Sequence, residues 1–190
     1  MPMSKPEMLA APLLAAIIAA AAHAETGKFG LGRAPTDKEI AGWNIDIGRD
    51  GQGLPPGSGS VQEGRTLFSE KCAACHGEKG EGGVGDRLVG GQGTLASPKP
   101  VKTVGSFWPY APTLFDYIRR AMPMNAPQSL SNQEVYALSA YVLNLNGLVS
   151  DHATLDAKSL AAIKMPNRDG FVSDPRPDVK NEACTSNCNN

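Results

Sequence analysis

The stretch Lys71-Cys72-Ala73-Ala74-Cys75-His76-Gly77 constrains this chain more than any other part of it. Two cysteines and a histidine within five residues fit three chemistries. A structural zinc site needs four ligands, as a rule two Cys or His pairs at knuckle spacing. The other two cysteines, Cys184 and Cys188, lie more than a hundred residues away. A thioredoxin-like dithiol sits at the start of a helix that follows a strand. Here the cysteines close a helical pattern and no strand precedes them. Cys-x-x-Cys-His is also the pattern of covalent haem attachment, in which the two thiols reach the two vinyl groups and the adjacent imidazole takes one face of the iron. We therefore expect heme c attached through Cys72 and Cys75, with His76 as an axial ligand. The motif occurs once, so one haem is expected.

The flanking pattern is helical. Ser60-Val61-Gln62-Glu63 reads as a capping box, followed by Val61, Gly64, Leu67, Phe68 and Cys72 at helical spacing. Gly64 weakens that helix by about 1 kcal/mol relative to Ala, so a close packing partner should compensate. Residues 77–112 are rich in Gly and Pro and predict little regular structure; a loop of that length usually wraps something or carries function. A second helix opens at Thr113 and stops at Pro123. Ser131-Asn132-Gln133-Glu134 is another capping box, and Gly147 ends the helix it starts. A short helix is expected within Asp156–Lys164. The fold class is mainly α: three helices and long loops around one haem, with no convincing strand and long irregular extensions at both ends.

The iron's second axial position needs a ligand from elsewhere. His152 reads as a surface residue, since histidines are frequently exposed. A methionine thioether is a soft ligand and raises the potential relative to a second imidazole. Met122 and Met124 flank Pro123 between two helices, where a side chain can be aimed inward; Met165 comes after the last core helix. Met122 ranks first, with Met124 and then Met165 as alternatives. In Phe107-Trp108-Pro109-Tyr110, Trp108 and Tyr110 are either core packing or contacts to the haem edge. Arg119 and Arg120 read as a solvated helix face, or as partners for propionates or another protein.

Upstream, residues 9–22 form an apolar run of 14, too short for a typical membrane span, and Ala22-His23-Ala24 supplies a small-x-small cleavage pattern. We expect a signal peptide over 1–24, an N-terminal arm over 25–59, the haem domain over 60–148, and a C-terminal extension over 149–190. In the arm, Thr36 and Glu39 predict a short capped helix, and Trp43 and Ile45 are expected to anchor it by burial. The exported protein is expected in the periplasm, with no membrane attachment after cleavage. In that oxidising compartment Cys184 and Cys188 fit a disulfide closing a small loop, with a tether or free thiols as alternatives. A net charge of −1 and no Lys/Arg cluster exclude a nucleic-acid partner on electrostatic grounds.

From Ser60 to Leu148 this arrangement resembles the class I c-type cytochromes: a helix ending in CAACH, loops, a Met-Pro segment and a final helix. That resemblance implies a close crossing of the first and last helices, with Gly64 facing Ala137 and Tyr141. GWNIDIGRDGQGLPPGSGS, GGQGTL, TVGSFWPYAPTLFDYIRRAMP and SLSNQEVYALSAYVLNLN are further similar to the monohaem cytochrome subunits of Sox sulfane dehydrogenases and related sulfite dehydrogenases. The likeness implies Met122 as iron ligand, a cysteine pair at the chain's end, a molybdenum-cofactor dehydrogenase catalytic subunit as electron donor, and a downstream cytochrome or oxidase as acceptor. No catalytic site of the chain's own is expected. The competing functions are a freestanding diffusible carrier, a sulfite dehydrogenase subunit, and a haem enzyme with an open sixth position.

Overall fold

A computed structural model describes residues 31–176. The expected signal segment, Cys184 and Cys188 lie outside the described residues. The chain divides into two compact units, Met1–Asn44 and Ile45–Asn190.

In the first unit, Thr36 caps helix α1 (Asp37–Trp43), and its amide donates back to the Glu39 carboxylate at 2.8 Å. Arg33 also pairs with Glu39. The expected anchoring by Trp43 is not what the structure shows: its side chain is 87% exposed, and no residue of α1 is buried. Two helical turns supply too little apolar surface to enclose an indole.

The second unit is built from α2 (Val61–Lys71), α3 (Ala73–His76), α4 (Ala111–Ala121), α5 (Asn132–Leu145) and α6 (Ala157–Ala161). Helix α4 starts two residues before Thr113 because Pro112 is well placed in a first turn, where its missing N–H has no helical partner anyway. Contrary to the strandless expectation, Ser58–Ser60 (β1) pairs antiparallel with Thr154–Asp156 (β2), matching Gly59 to Leu155. Each strand is three residues long, too short to show an alternating pattern. Ser60 ends β1 and caps α2, so the capping box and the strand pair share one residue.

The core forms where α2, α4 and α5 meet. Phe68 packs edge-on against Tyr141, with ring centroids 5.3 Å apart, and Phe115 lies 4.5 Å from Tyr136. Leu138, Leu143, Leu155, Leu160 and Met165 complete the same cluster. Gly64 meets α5 as the resemblance implied: a Cβ there would collide with the Ala137 carbonyl oxygen and lie 2.8 Å from Tyr141 Cβ. The irregular segment before β1 is fastened by polar contacts. Tyr136 donates its hydroxyl to the Pro55 carbonyl at 2.8 Å, and Arg120 reaches Asp46 at 3.2 Å while bonding Asp116 at 2.8 Å.

Two outcomes follow. Gly64→Ala gains about 1 kcal/mol of helix propensity, but the new methyl group meets a backbone carbonyl that cannot rotate away. Overpacking of this kind costs ~1–3 kcal/mol, so with a backbone obstacle we expect a net loss of about 2 kcal/mol in denaturant unfolding. The second outcome concerns pH. The Ser60 hydroxyl and amide both donate to the Glu63 carboxylate at 2.7 Å and hold its pKa below the ordinary range; the Ser131 amide does the same for Glu134. A lowered folded pKa contributes stability that is present above the unfolded value of about 4.3 and is lost as pH falls through the folded value. The unfolding midpoint should therefore drop below about pH 4.3, and less steeply in Glu63→Gln. Ser60→Ala should cost about 1 kcal/mol at neutral pH.

Candidate haem site

The attachment motif occupies one helical turn at the end of α2. Cys72 is both the C-cap of α2 and the residue before α3, and its side chain is half-buried against the core. Cys75 is exposed and His76 half-buried. Helix ends leave carbonyls without partners. Here the following loop folds back to satisfy them: Gly82 N–H donates to the His76 carbonyl at 2.7 Å, and Gly85 N–H donates to that of Cys75 at 2.8 Å.

That returning loop also orients the imidazole. His76 Nδ1 lies 2.7 Å from the Asp86 carbonyl oxygen. A carbonyl can only accept, so Nδ1 carries the proton and Nε2 keeps its lone pair. This is the arrangement in which a histidine ligates a metal through one nitrogen while a backbone carbonyl fixes the other. The loop passes so close to the ring that a Cβ on Gly85 would lie 2.9 Å from Cε1 and 3.0 Å from Nδ1. Sequence reading found the Gly-rich loop but neither of these contacts. The functional atom of Asp86 belongs to its backbone, which residue identity does not report; the Gly83-Val84-Gly85 spacing is the only trace.

The thiol environment speaks against a redox dithiol. Burial, only partly offset by Lys71, pushes the Cys72 thiol up to about 11. A redox-active dithiol works with the opposite shift. Among the described residues, no group of three or more His, Cys, Asp or Glu side chains is placed to hold a bare metal ion. Two thiols and an imidazole nitrogen on one turn fit a covalently attached haem; Leu67, Leu88, Trp108 and Met122 are half-buried apolar residues packed against the core.

The three candidate methionines occupy different settings. Met165 is 1% exposed and fills the core; Met124 is 77% exposed. Met122 is the half-buried C-cap of α4, in extended backbone (φ −119°, ψ 148°), packed against the core. Trp108 stacks edge-on with Tyr117 at 5.7 Å. Tyr110 caps the start of α4, bridges to Lys164 and lies under the Arg168 guanidinium at 4.6 Å. His152 is exposed.

Comparison with known proteins places this geometry. Residues 61–146 match the family model for cytochrome c. The chain belongs to the cytochrome c family, whose members carry a covalently bound c-type haem and transfer electrons. Its relatives are more specific. It is 43% identical to a chain in the crystal structure of the sulfane dehydrogenase SoxCD from Paracoccus pantotrophus, over 85% of this chain and 83% of that one, with a TM-score of 0.75. It is also 32% identical over 101 residues to a thiosulfate dehydrogenase of Psychrobacter arcticus (strain DSM 17307 / VKM B-2377 / 273-4). That match covers 48% of this chain but only 31% of the relative, so the chain spans about a third of that protein's length. No helix among the described residues is long and apolar enough to cross a membrane.

Gly85→Ala tests the loop's role directly. The added methyl group must displace the imidazole or the loop, so the haem-loaded fraction of the protein should fall by roughly tenfold. Haem absorbance per unit protein is the readout.

Proposed function

We propose that this chain is a periplasmic monohaem electron acceptor for a molybdenum-cofactor dehydrogenase that oxidises a sulfur compound. The single observation that carries this reading is the 43% identity, sustained over most of both chains, to a chain of a sulfane dehydrogenase crystal structure. The thiosulfate dehydrogenase match supports the same class of sulfur-compound oxidation from a second direction. The electrons pass onward to a downstream cytochrome or oxidase.

In this reading Cys72 and Cys75 would hold the haem as thioethers, and His76 Nε2 and Met122 would ligate its iron. When bound, the haem supplies a one-electron iron couple. The chain's residues do the rest. The Asp86 carbonyl keeps the Nδ1 proton in place, and the packed helices keep water from the buried side. Met122 is favoured over Met165, which is already consumed by core packing, and over Met124, which is exposed to solvent. Trp108 and Tyr110 are candidates for contacts to the haem edge. Cys184 and Cys188 form a terminal disulfide. A freestanding carrier is the second reading; a net charge of −1 gives it little long-range steering toward partners.

Two measurements test the proposal. Purification of the tagged, haem-loaded protein from its native host should bring down a molybdenum-containing subunit in a fixed ratio; isolation of the chain alone would support the carrier instead. Met122→Ala should abolish the sulfur-to-iron charge-transfer band of the oxidised protein. Survival of that band would move the ligand to Met124 or Met165.

A further inference from the structure

Helix α5 ends on Asn146, a buried amide with 8% exposure. Both amide protons and the amide oxygen are bonded, and two of the three bonds leave the helix. Its Nδ2 donates to the Val142 carbonyl at 2.9 Å and to the Leu88 carbonyl at 3.1 Å. Its Oδ1 accepts from Gly90 N–H at 3.3 Å. The same two loop residues are held from their other sides. Leu88 N–H donates to the Gly80 carbonyl at 2.8 Å. The Gly90 carbonyl accepts from Thr103 Oγ1 at 2.6 Å, and Thr103 is itself buried and bonded to Ser106. The turn that carries Thr103 and Ser106 rests on the amide: a Cβ on Gly105 would collide with Asn146 Oδ1.

We propose that Asn146 is a positioning residue for the axial histidine. It fixes the Leu88–Gly90 segment, and that segment holds in place the Asp86 carbonyl, two residues upstream, that accepts the His76 Nδ1 proton. The inference rests on the reading of His76 as an iron ligand. The loop is held upstream by Gly85 N–H on the Cys75 carbonyl at 2.8 Å and by Arg87 Nε on the Glu81 carbonyl at 3.1 Å, and Asn146 holds it from the downstream side. Asp86 and Arg87 are exposed, and Leu88 is only half-buried, so apolar burial does not define where the Asp86 carbonyl sits. Hydrogen bonds do, and the buried Asn146 amide supplies the downstream ones, because leaving its partners unpaired inside the protein is unfavourable. The hydrogen bond to Nδ1 raises the basicity of the ligating nitrogen and favours the oxidised iron. A looser loop therefore means a higher reduction potential.

The test uses haem-loaded protein with Asn146→Asp and Asn146→Leu. Aspartate keeps the shape and an acceptor for Gly90 N–H but lacks, at neutral pH, the donor for the Leu88 carbonyl. Leucine removes all three bonds. NMR of the reduced, histidine-labelled protein first establishes whether His76 ligates the iron. Both variants should raise the midpoint potential and speed exchange of the His76 Nδ1 proton by about tenfold or more, the loss of one hydrogen bond's protection. Variants that load haem and keep His76 on the iron, yet leave potential and ring-proton exchange at wild-type values, would reduce Asn146 to a structural role and overturn the inference alone. A wild-type protein in which His76 is not on the iron would overturn the site assignment beneath it. If neither variant accumulates, the wild-type protein decides. The ring proton and the Gly90 amide should then exchange through one shared opening, with the same response to denaturant. A ring proton that exchanges independently of Gly90 would refute the coupling.

Discussion

Helix α2 crosses α5 at Gly64 with no room for a side chain. The helix with the glycine lies directly on the Ala137 peptide, and Phe68 stacks on Tyr141 one turn further along. Gly64 stands eight residues before Cys72, about 12 Å along a helix axis. The crossing is therefore the fixed end of a rigid lever whose other end carries the two thiols and the imidazole. Lys71 reaches Glu134 at 3.7 Å across the same interface, but an exposed pair of this kind adds little. Steric fit at one glycine sets the geometry, and charge only decorates it.

A second kind of order governs the loop after His76. Helices here are positioned by apolar burial, whereas residues 77–106 are positioned by hydrogen bonds made one peptide at a time. Gly82 and Gly85 close the helix end, Thr94 and Thr103 tie the loop to itself, and Asn146 ties it to α5. This division makes physical sense. A segment so rich in Gly and Pro cannot bury a continuous apolar face, so its backbone groups find partners individually.

Much of this was readable from the chain. Ser60, Thr36 and Ser131 each announced a helix start because a capping box is a local signal, complete within four residues. Gly64 was readable because a glycine inside a helical pattern asks for a packing reason. The cofactor was readable because Cys72, Cys75 and His76 are adjacent in sequence. What stayed hidden depends on distant partners. Nothing in Ser58-Gly59-Ser60 announces a strand until Thr154–Asp156 is laid beside it. The exposure of Trp43 could not be read from an aromatic residue's usual preference for burial, because the short helix around it offers no wall. Asn146 reads in sequence as an ordinary helix stop next to Gly147. Its two long-range partners are backbone atoms more than fifty residues away.

The β1–β2 pair has an architectural corollary. It lays the entry to α2 beside the exit from α5, so the polypeptide enters and leaves the helical body at one seam. Leu155 within that seam, and Leu160 and Met165 downstream of it, pack into the same apolar cluster as Phe68. An excised fragment ending soon after α5 would leave a hole where these three side chains belong.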